Sequence, residues 1–223
     1  TKRISYGDLG YRVKVSGRDE IAQLGGSFNE MAGALVEARR RLDEYFYRVV
    51  QSMVRSLEAK DPYTRGHSDR VSEYAKQIAV AMGLPAEKIE LLGKAAQLHD
   101  IGKLGVHEDI LNKKAALSEG EWDILHKHPA AGEEILKPVF LDTEMLSVIR
   151  SHHERYDGSG YPDKLKAEEI SIFAQIVSVA DAYDAMTSSR SYRPALSEEE
   201  AKKRLGEGSG TQFNPKVVDA FIK

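Results

Sequence analysis

Residues 86–103 read AEKIELLGKAAQLHDIGK, and this stretch decides the fold. Ile89, Leu92, Ala96 and His99 recur at three- and four-residue steps, so the apolar face of one helix ends on an imidazole. Asp100 beside it is a carboxylate entering a core, which is costly unless a cation or a metal ion balances it. Lys103, four residues after His99, falls on the same side if the turn continues. An acid, an imidazole and a cation thus converge at a helix end.

The pattern repeats along the chain. From His67, Val71, Tyr74, Ala75, Ile78 and Met82 keep helical spacing until Gly83-Leu84-Pro85 stops the run. Ser118 with Glu121 makes a capping box ahead of Trp122 and Leu125, and Ser197 with Glu200 repeats that pattern. Phe173, Val177, Ala180, Asp181 and Asp184 share a face of a very apolar segment, where a buried Asp181 also calls for a cation. Met145, Ile149, His152 and His153 share another. A single inward His is more often a hydrogen-bonded core residue than a ligand. Several converging on one region reverse that reading, and two adjacent imidazoles suit a site reached from two sides.

Behind the pair, Glu154 to Pro162 is a loop punctuated by Gly158, Gly160 and Pro162 that cannot be helical and would close over whatever the imidazoles bind. His107 and His126 read as solvent-exposed or structural, and the Glu/Lys run from Glu198 to Arg204 as a solvated helix face. Strand signal is scarce throughout, so the fold class is all-α.

Composition narrows the function. The 223 residues carry 32 Lys+Arg against 35 Asp+Glu, a net charge of −3. That balance argues against a chain that coats polymeric nucleic acid, which needs concentrated basic residues. With no Cys, disulfide scaffolds, thiolate zinc sites and Cys nucleophiles are excluded, and any metal is held by His, carboxylate or water. There is neither a Gly-rich phosphate loop between strand and helix nor a Gly-x-Ser-x-Gly elbow. No apolar run reaches the length of a membrane span. The start at Thr1 reads as a piece of a longer chain.

Ahead of the His-bearing part, Ile21, Leu24, Phe28, Met31, Leu35, Ala38, Leu42, Tyr45 and Val49 step by threes and fours, the seam of roughly four heptads. A helix starting near Asp19 and packed on a partner fits this; a helix folded back on its own core is the alternative. Asp61-Pro62 disfavours helix and marks the next boundary.

Taken together, His67, His99-Asp100-Ile101-Gly102-Lys103, His128-Pro129-Ala130-Ala131-Gly132, His152-His153 followed by Gly160-Tyr161-Pro162, and Asp181 within Val179-Ala180-Asp181-Ala182-Tyr183-Asp184-Ala185 resemble the HD-GYP family, bacterial metal-dependent phosphodiesterases that degrade cyclic di-GMP. The resemblance runs from Asp61 to the C-terminus. Gly7-Asp8-Leu9 and Gly17-Arg18-Asp19-Glu20-Ile21 through Met31 resemble the second half of a HAMP linker.

The resemblance implies residues 1–35 as a partial HAMP linker, 36–60 as a connecting signalling helix and 61–223 as a catalytic HD-type bundle. It implies His67, His99, Asp100, His128, His152, His153 and Asp181 as ligands of two divalent ions, iron or manganese, with Asp100 bridging. His67, His99 and Asp181 would complete one site, and His128, His152 and His153 the other. Tyr63 stands where some members place a Glu for a third metal. Lys103 would meet the scissile phosphate or the bridging water, Arg190 and Arg193 the ligand phosphates, and Gly160, Tyr161 and Pro162 would border the substrate. The implied product is linear pGpG, with GMP on a second cut. The implied partners are cyclic di-GMP, a second copy paired along the helical seam, and GGDEF-type or other signalling proteins. The parent would be anchored at the cytoplasmic face of a bacterial inner membrane, this stretch itself being soluble. Hydrolysis of other nucleotides, or binding of a cyclic dinucleotide without turnover, are the competing readings.

Overall fold

The structure is a computed structural model that describes residues 9–60, 65–113, 115–189 and 194–223. Arg190, Arg193, Tyr63 and the Gly7-Asp8 step lie outside the described residues. The chain divides into two compact units, Thr1–Val49 and Val50–Lys223. No strand occurs among the described residues.

In the first unit, helix α1 (Glu20–Lys60) begins where Asp19 caps it, Asp19 Oδ1 accepting from Ala22 N at 2.9 Å. The extended residues before it lie along the helix, held by Asn29, whose side chain accepts from Val13 N at 2.8 Å and donates to Val13 O at 2.9 Å. Glu37 and Glu44 pair with Arg40, Arg41 and Arg48 one turn away, each exposed pair adding only a few tenths of a kcal/mol. The seam itself faces solvent in the single chain, Ile21 at 75%, Leu24 at 68% and Tyr45 at 64% exposure.

The second unit opens within α1, where Val54 is buried. It continues through α2 (His67–Ala81), α3 (Ala86–Leu98), a 3₁₀ turn (Ile101–Gly105), α4 (Glu108–Leu111), α5 (Glu119–Leu125), α6 (His128–Leu136), α7 (Thr143–Ser151), a second 3₁₀ turn (Ala167–Glu169), α8 (Ile172–Thr187), α9 (Glu198–Glu207) and α10 (Pro215–Ile222). Near the end of α1, Glu58 is buried and its carboxylate accepts from Gly66 N at 3.0 Å and Ser68 N at 2.7 Å. It satisfies two amides that the start of α2 would otherwise leave unpaired.

Helix α8 is the centre of this unit. Its Phe173, Ile176, Val177, Val179 and Tyr183 are buried, each contributing roughly 1.5–3 kcal/mol. It packs on α2, α7, α9 and α10, and Tyr183 meets Tyr74 and Phe221 edge-on with ring centroids 5.0 and 4.7 Å away.

The caps follow the sequence closely, with one departure. Ser118 and Glu121 form the reciprocal box at α5. At α9, Ser197 accepts from Glu200 N at 3.2 Å, but the Glu200 carboxylate turns along the helix to Arg204 at 3.0 Å. An Arg one turn on outcompetes the N-cap amide for that carboxylate, so the box is half made.

Candidate active site

Helix ends build the site. The start of α2 supplies His67, the end of α3 His99 and Asp100, the first 3₁₀ turn Lys103, the start of α6 His128, and the turn after α7 His152 and His153. Asp181 comes from the middle of α8.

Two groups of donor atoms result, Asp100, His128, His152 and His153 in one and His67, His99 and Asp100 in the other, the atoms of each lying within 4.8 Å of one another. Asp100 belongs to both. Asp181 Oδ1 lies 3.4 Å from His67 Nε2, beside the second group. All seven expected ligand residues are thus brought to one place.

Three of the imidazoles have their tautomer set by a carbonyl at the C-terminal end of a helix, their own for His99 and His152 and the preceding α5 for His128. Nδ1 of His99 donates to Ala96 O at 2.7 Å, that of His128 to Leu125 O at 2.7 Å and that of His152 to Ile149 O at 2.9 Å. Nε2 is left as a bare lone pair pointing inward. His128 Nε2 and His152 Nε2 stand 3.3 Å apart, and Asp100 Oδ1 is 3.3 Å from the first and 4.0 Å from the second. That oxygen is buried and accepts no hydrogen bond. Lone pairs facing a carboxylate oxygen repel unless a cation lies between them, so the donor set fits a divalent metal.

The electrostatics agree. Burial pushes the pKa of His99 down, that of His152 well down with the neighbouring imidazoles adding to it, and that of His153 to about 3. Burial thus favours the neutral form of these rings, the form that can offer a lone pair to a metal. Burial alone would raise the pKa of Asp100, but Lys103, His99 and His128 outweigh it and hold that carboxyl well below its usual range. Lys103 Nζ sits 2.5 Å from Asp100 Oδ2.

His67 is oriented differently. Its Nδ1 lies 2.7 Å from Asp184 Oδ2, and Arg70 holds the same carboxylate through Nε at 2.5 Å and Nη2 at 3.1 Å. Burial would lower the pKa of His67; the Asp184 bond and the charges of Asp181 and Asp100 prevail and raise it. Asp184 shares the Asp181 face in the sequence, three residues on, yet its role depends on α2 meeting α8. Asp184→Asn is expected to weaken Mn²⁺ binding by about 10–100-fold, the usual cost of losing a partner behind a ligand. Titration calorimetry tests it, and native affinity in the variant would show that Asp184 does not orient His67.

Helix α7 ends at Ser151, so the rings of His152 and His153 are not splayed along a helix face. They come within 4.2 Å of each other. The following loop is pinned down. Buried Glu154 accepts from Asp163 N at 2.7 Å and Leu165 N at 3.1 Å. Arg150 ties Asp163 at 2.6 Å to Glu133 at 2.7 Å. A Cβ at Gly160 would fall 2.3 Å from Arg155 N and 2.5 Å from Glu154 Cα, so only Gly lets the loop pass. Pro162 follows Tyr161 in a cis peptide. The sequence gives no role to Arg70, Arg150 or Glu154; their signal is proximity to His67 and to the His pair.

His107 is exposed, as expected. His126 falls on the structural side of its reading: it is half-buried and stacks on Tyr161 with centroids 4.1 Å apart.

Comparison with known proteins places this geometry. The HD domain family model matches residues 51–217, and the HAMP domain model residues 1–37. The chain is 33% identical over 234 residues to a cyclic di-GMP phosphodiesterase of Vibrio cholerae, spanning 98% of this chain and 48% of that protein. It is 36% identical over 181 residues to 3'3'-cGAMP-specific phosphodiesterase 3 of the same organism, spanning 81% and 39%. The chain therefore spans half or less of these curated relatives. Among solved structures, Bd1817, an HDG"Y"P protein from Bdellovibrio bacteriovorus, shares the fold at TM-score 0.60 and 20% identity, over 81% of this chain and 62% of that one.

Proposed function

The chain belongs to the HD domain family, and on that premise we propose that it hydrolyses the phosphodiester bonds of cyclic di-GMP as the output end of a membrane-anchored bacterial signalling protein. The observation that carries this reading is the pair of ligand groups sharing Asp100. The similarity to a cyclic di-GMP phosphodiesterase supports the substrate. His67, His99 and Asp181 with Asp100 would hold one divalent ion, iron or manganese, and His128, His152 and His153 with Asp100 a second. Such ions, when bound, lower the pKa of a water toward about 7 and neutralise charge on phosphoryl oxygens.

The chain's own groups do the remaining work. Lys103, partly exposed beside Asp100, would hold a nonbridging phosphate oxygen once the carboxylate is otherwise engaged. Arg190 and Arg193 would grip the ligand phosphates, where a guanidinium fork suits two oxygens. Gly160, Tyr161 and Pro162 would border the substrate, fixed there by Glu154 and Arg150. The first cut yields linear pGpG, and a second, to GMP, depends on how well that product is retained.

The exposed seam of α1 supports pairing of two copies, with residues 1–35 as HAMP linker and 36–60 as the helix joining it to catalytic residues 61–223. No helix among the described residues is long and apolar enough to cross a membrane, so the anchor would lie elsewhere in the parent.

A second reading, hydrolysis of a mixed cyclic dinucleotide, is favoured by the similarity to the cGAMP-specific relative. One experiment separates the readings: turnover of cyclic di-GMP and 3'3'-cGAMP by chain purified without chelator, then stripped with EDTA and reloaded with Mn²⁺ or Fe²⁺. Faster cleavage of cyclic di-GMP, lost with EDTA and regained with metal, is expected. Faster cleavage of 3'3'-cGAMP supports the second reading, and binding of either without cleavage in the metal-loaded chain makes the domain a receptor.

A further inference from the structure

His153 is the exception among the clustered imidazoles. His99, His128 and His152 lean on carbonyls at the C-terminal ends of α3, α5 and α7, and His67 on Asp184. His153 stands one residue further past the end of α7. Among the described residues its ring nitrogens make no hydrogen bond, and its ring is held by other rings.

Those rings form a file leading outward. His152 lies at 4.2 Å and His128 at 5.1 Å on the inner side. Tyr161 stacks on His153 at 4.9 Å with planes 27° apart, and His126 stacks on Tyr161 at 4.1 Å with planes 30° apart. Trp122 reaches His126 at 5.2 Å. The backbone joins in, Tyr161 N donating to His153 O at 3.3 Å.

We propose that His126 is a positioning residue, which by stacking on Tyr161 sets the plane of the His153 ring and so aims its donor nitrogen at the ligand group of Asp100, His128 and His152. Tyr161 is thereby a buttress as well as a border of the site. The role asked of His126 is that of a flat ring, and neither its charge nor its nitrogens take part. An imidazole held by stacking alone can rotate once the stack is broken, whereas one bonded through Nδ1 cannot.

The inference rests on the metal-dependent reading above, and its test has a readout that precedes catalysis. Mn²⁺ affinity of the EDTA-stripped full chain is measured by titration without nucleotide for native chain, His126→Ala and His126→Phe, with circular dichroism confirming the fold. His126→Ala is expected to weaken Mn²⁺ binding by about five- to tenfold and to lower kcat more than it raises KM, while His126→Phe restores both. Unchanged affinity in His126→Ala overturns the proposal, as does rescue by His126→Gln but not by His126→Phe, which would indicate a polar contact. A native chain that binds no Mn²⁺ sinks the metal-dependent reading itself, and a native chain that binds while His126→Ala binds equally sinks only this inference.

Discussion

Asp100→Asn is expected to strip the metal from the chain and to lower turnover by about 10³-fold or more, at least 4 kcal/mol of transition-state stabilisation. Among the described residues Asp100 is the member common to both donor groups, so its loss touches both at once. The amide is nearly isosteric but neutral, and it would present an NH₂ or a weaker oxygen to the Nε2 atoms now 3.3–4.0 Å from the carboxylate. Lys103 would lose its 2.5 Å partner, but it is 27% exposed and can turn to water. The helical fold therefore survives, since the buried core around α8 does not include this residue. Metal analysis, circular dichroism and turnover on one sample provide the check. A variant that keeps its metal content and its rate would refute the assignment of Asp100 as the shared ligand.

How much of this was legible beforehand differs from residue to residue. The step of three and four through Ile89, Leu92 and Ala96 needs only the helical period to send His99 inward, and Ser118 with Glu121 announces its own cap. The seam from Ile21 to Val49 is equally local, and the helix that carries it runs unbroken to Lys60. What periodicity reports is which face of a segment is turned inward, and it is silent on what that face meets. Asp184 could be seen on the Asp181 stripe, but its bond to His67 spans 117 positions and exists only because α2 packs on α8. Glu154 becomes a buried clamp because the chain returns to it at Asp163 and Leu165. Met145, Ile149, His152 and His153 read as one helix face, whereas the helix stops at Ser151 and the two rings sit tilted against each other with centroids 4.2 Å apart. His126 looks idle until the loop lays Tyr161 over it.

Gly102→Ala is expected to destabilise the metal-free second unit by about 3 kcal/mol, at the upper end for overpacking, and to cut turnover by about 10²-fold. Its new Cβ would lie 1.9 Å from His128 O, 2.6 Å from Gly132 N and 2.8 Å from His128 C. All three are backbone atoms, so no rotamer change relieves the clash, and α6 has to move off the 3₁₀ turn. His128 is the first residue of α6, and displacing it carries its Nε2 away from Asp100. The neighbouring glycines calibrate the effect. At Gly132 the nearest atom is Ile149 Cγ2 at 2.8 Å, on a buried β-branched side chain that yields little, with backbone Gly102 N further off at 3.3 Å, so Ala there should cost about 2 kcal/mol. At Gly105 nothing lies within 4 Å, so Ala should change stability by less than about 0.5 kcal/mol. Urea denaturation of the three EDTA-treated variants, beside turnover of the reloaded chains, tests the order Gly102, Gly132, Gly105. If Gly102→Ala melts and turns over like Gly105→Ala, the backbone contact between the 3₁₀ turn and α6 is not what fixes His128.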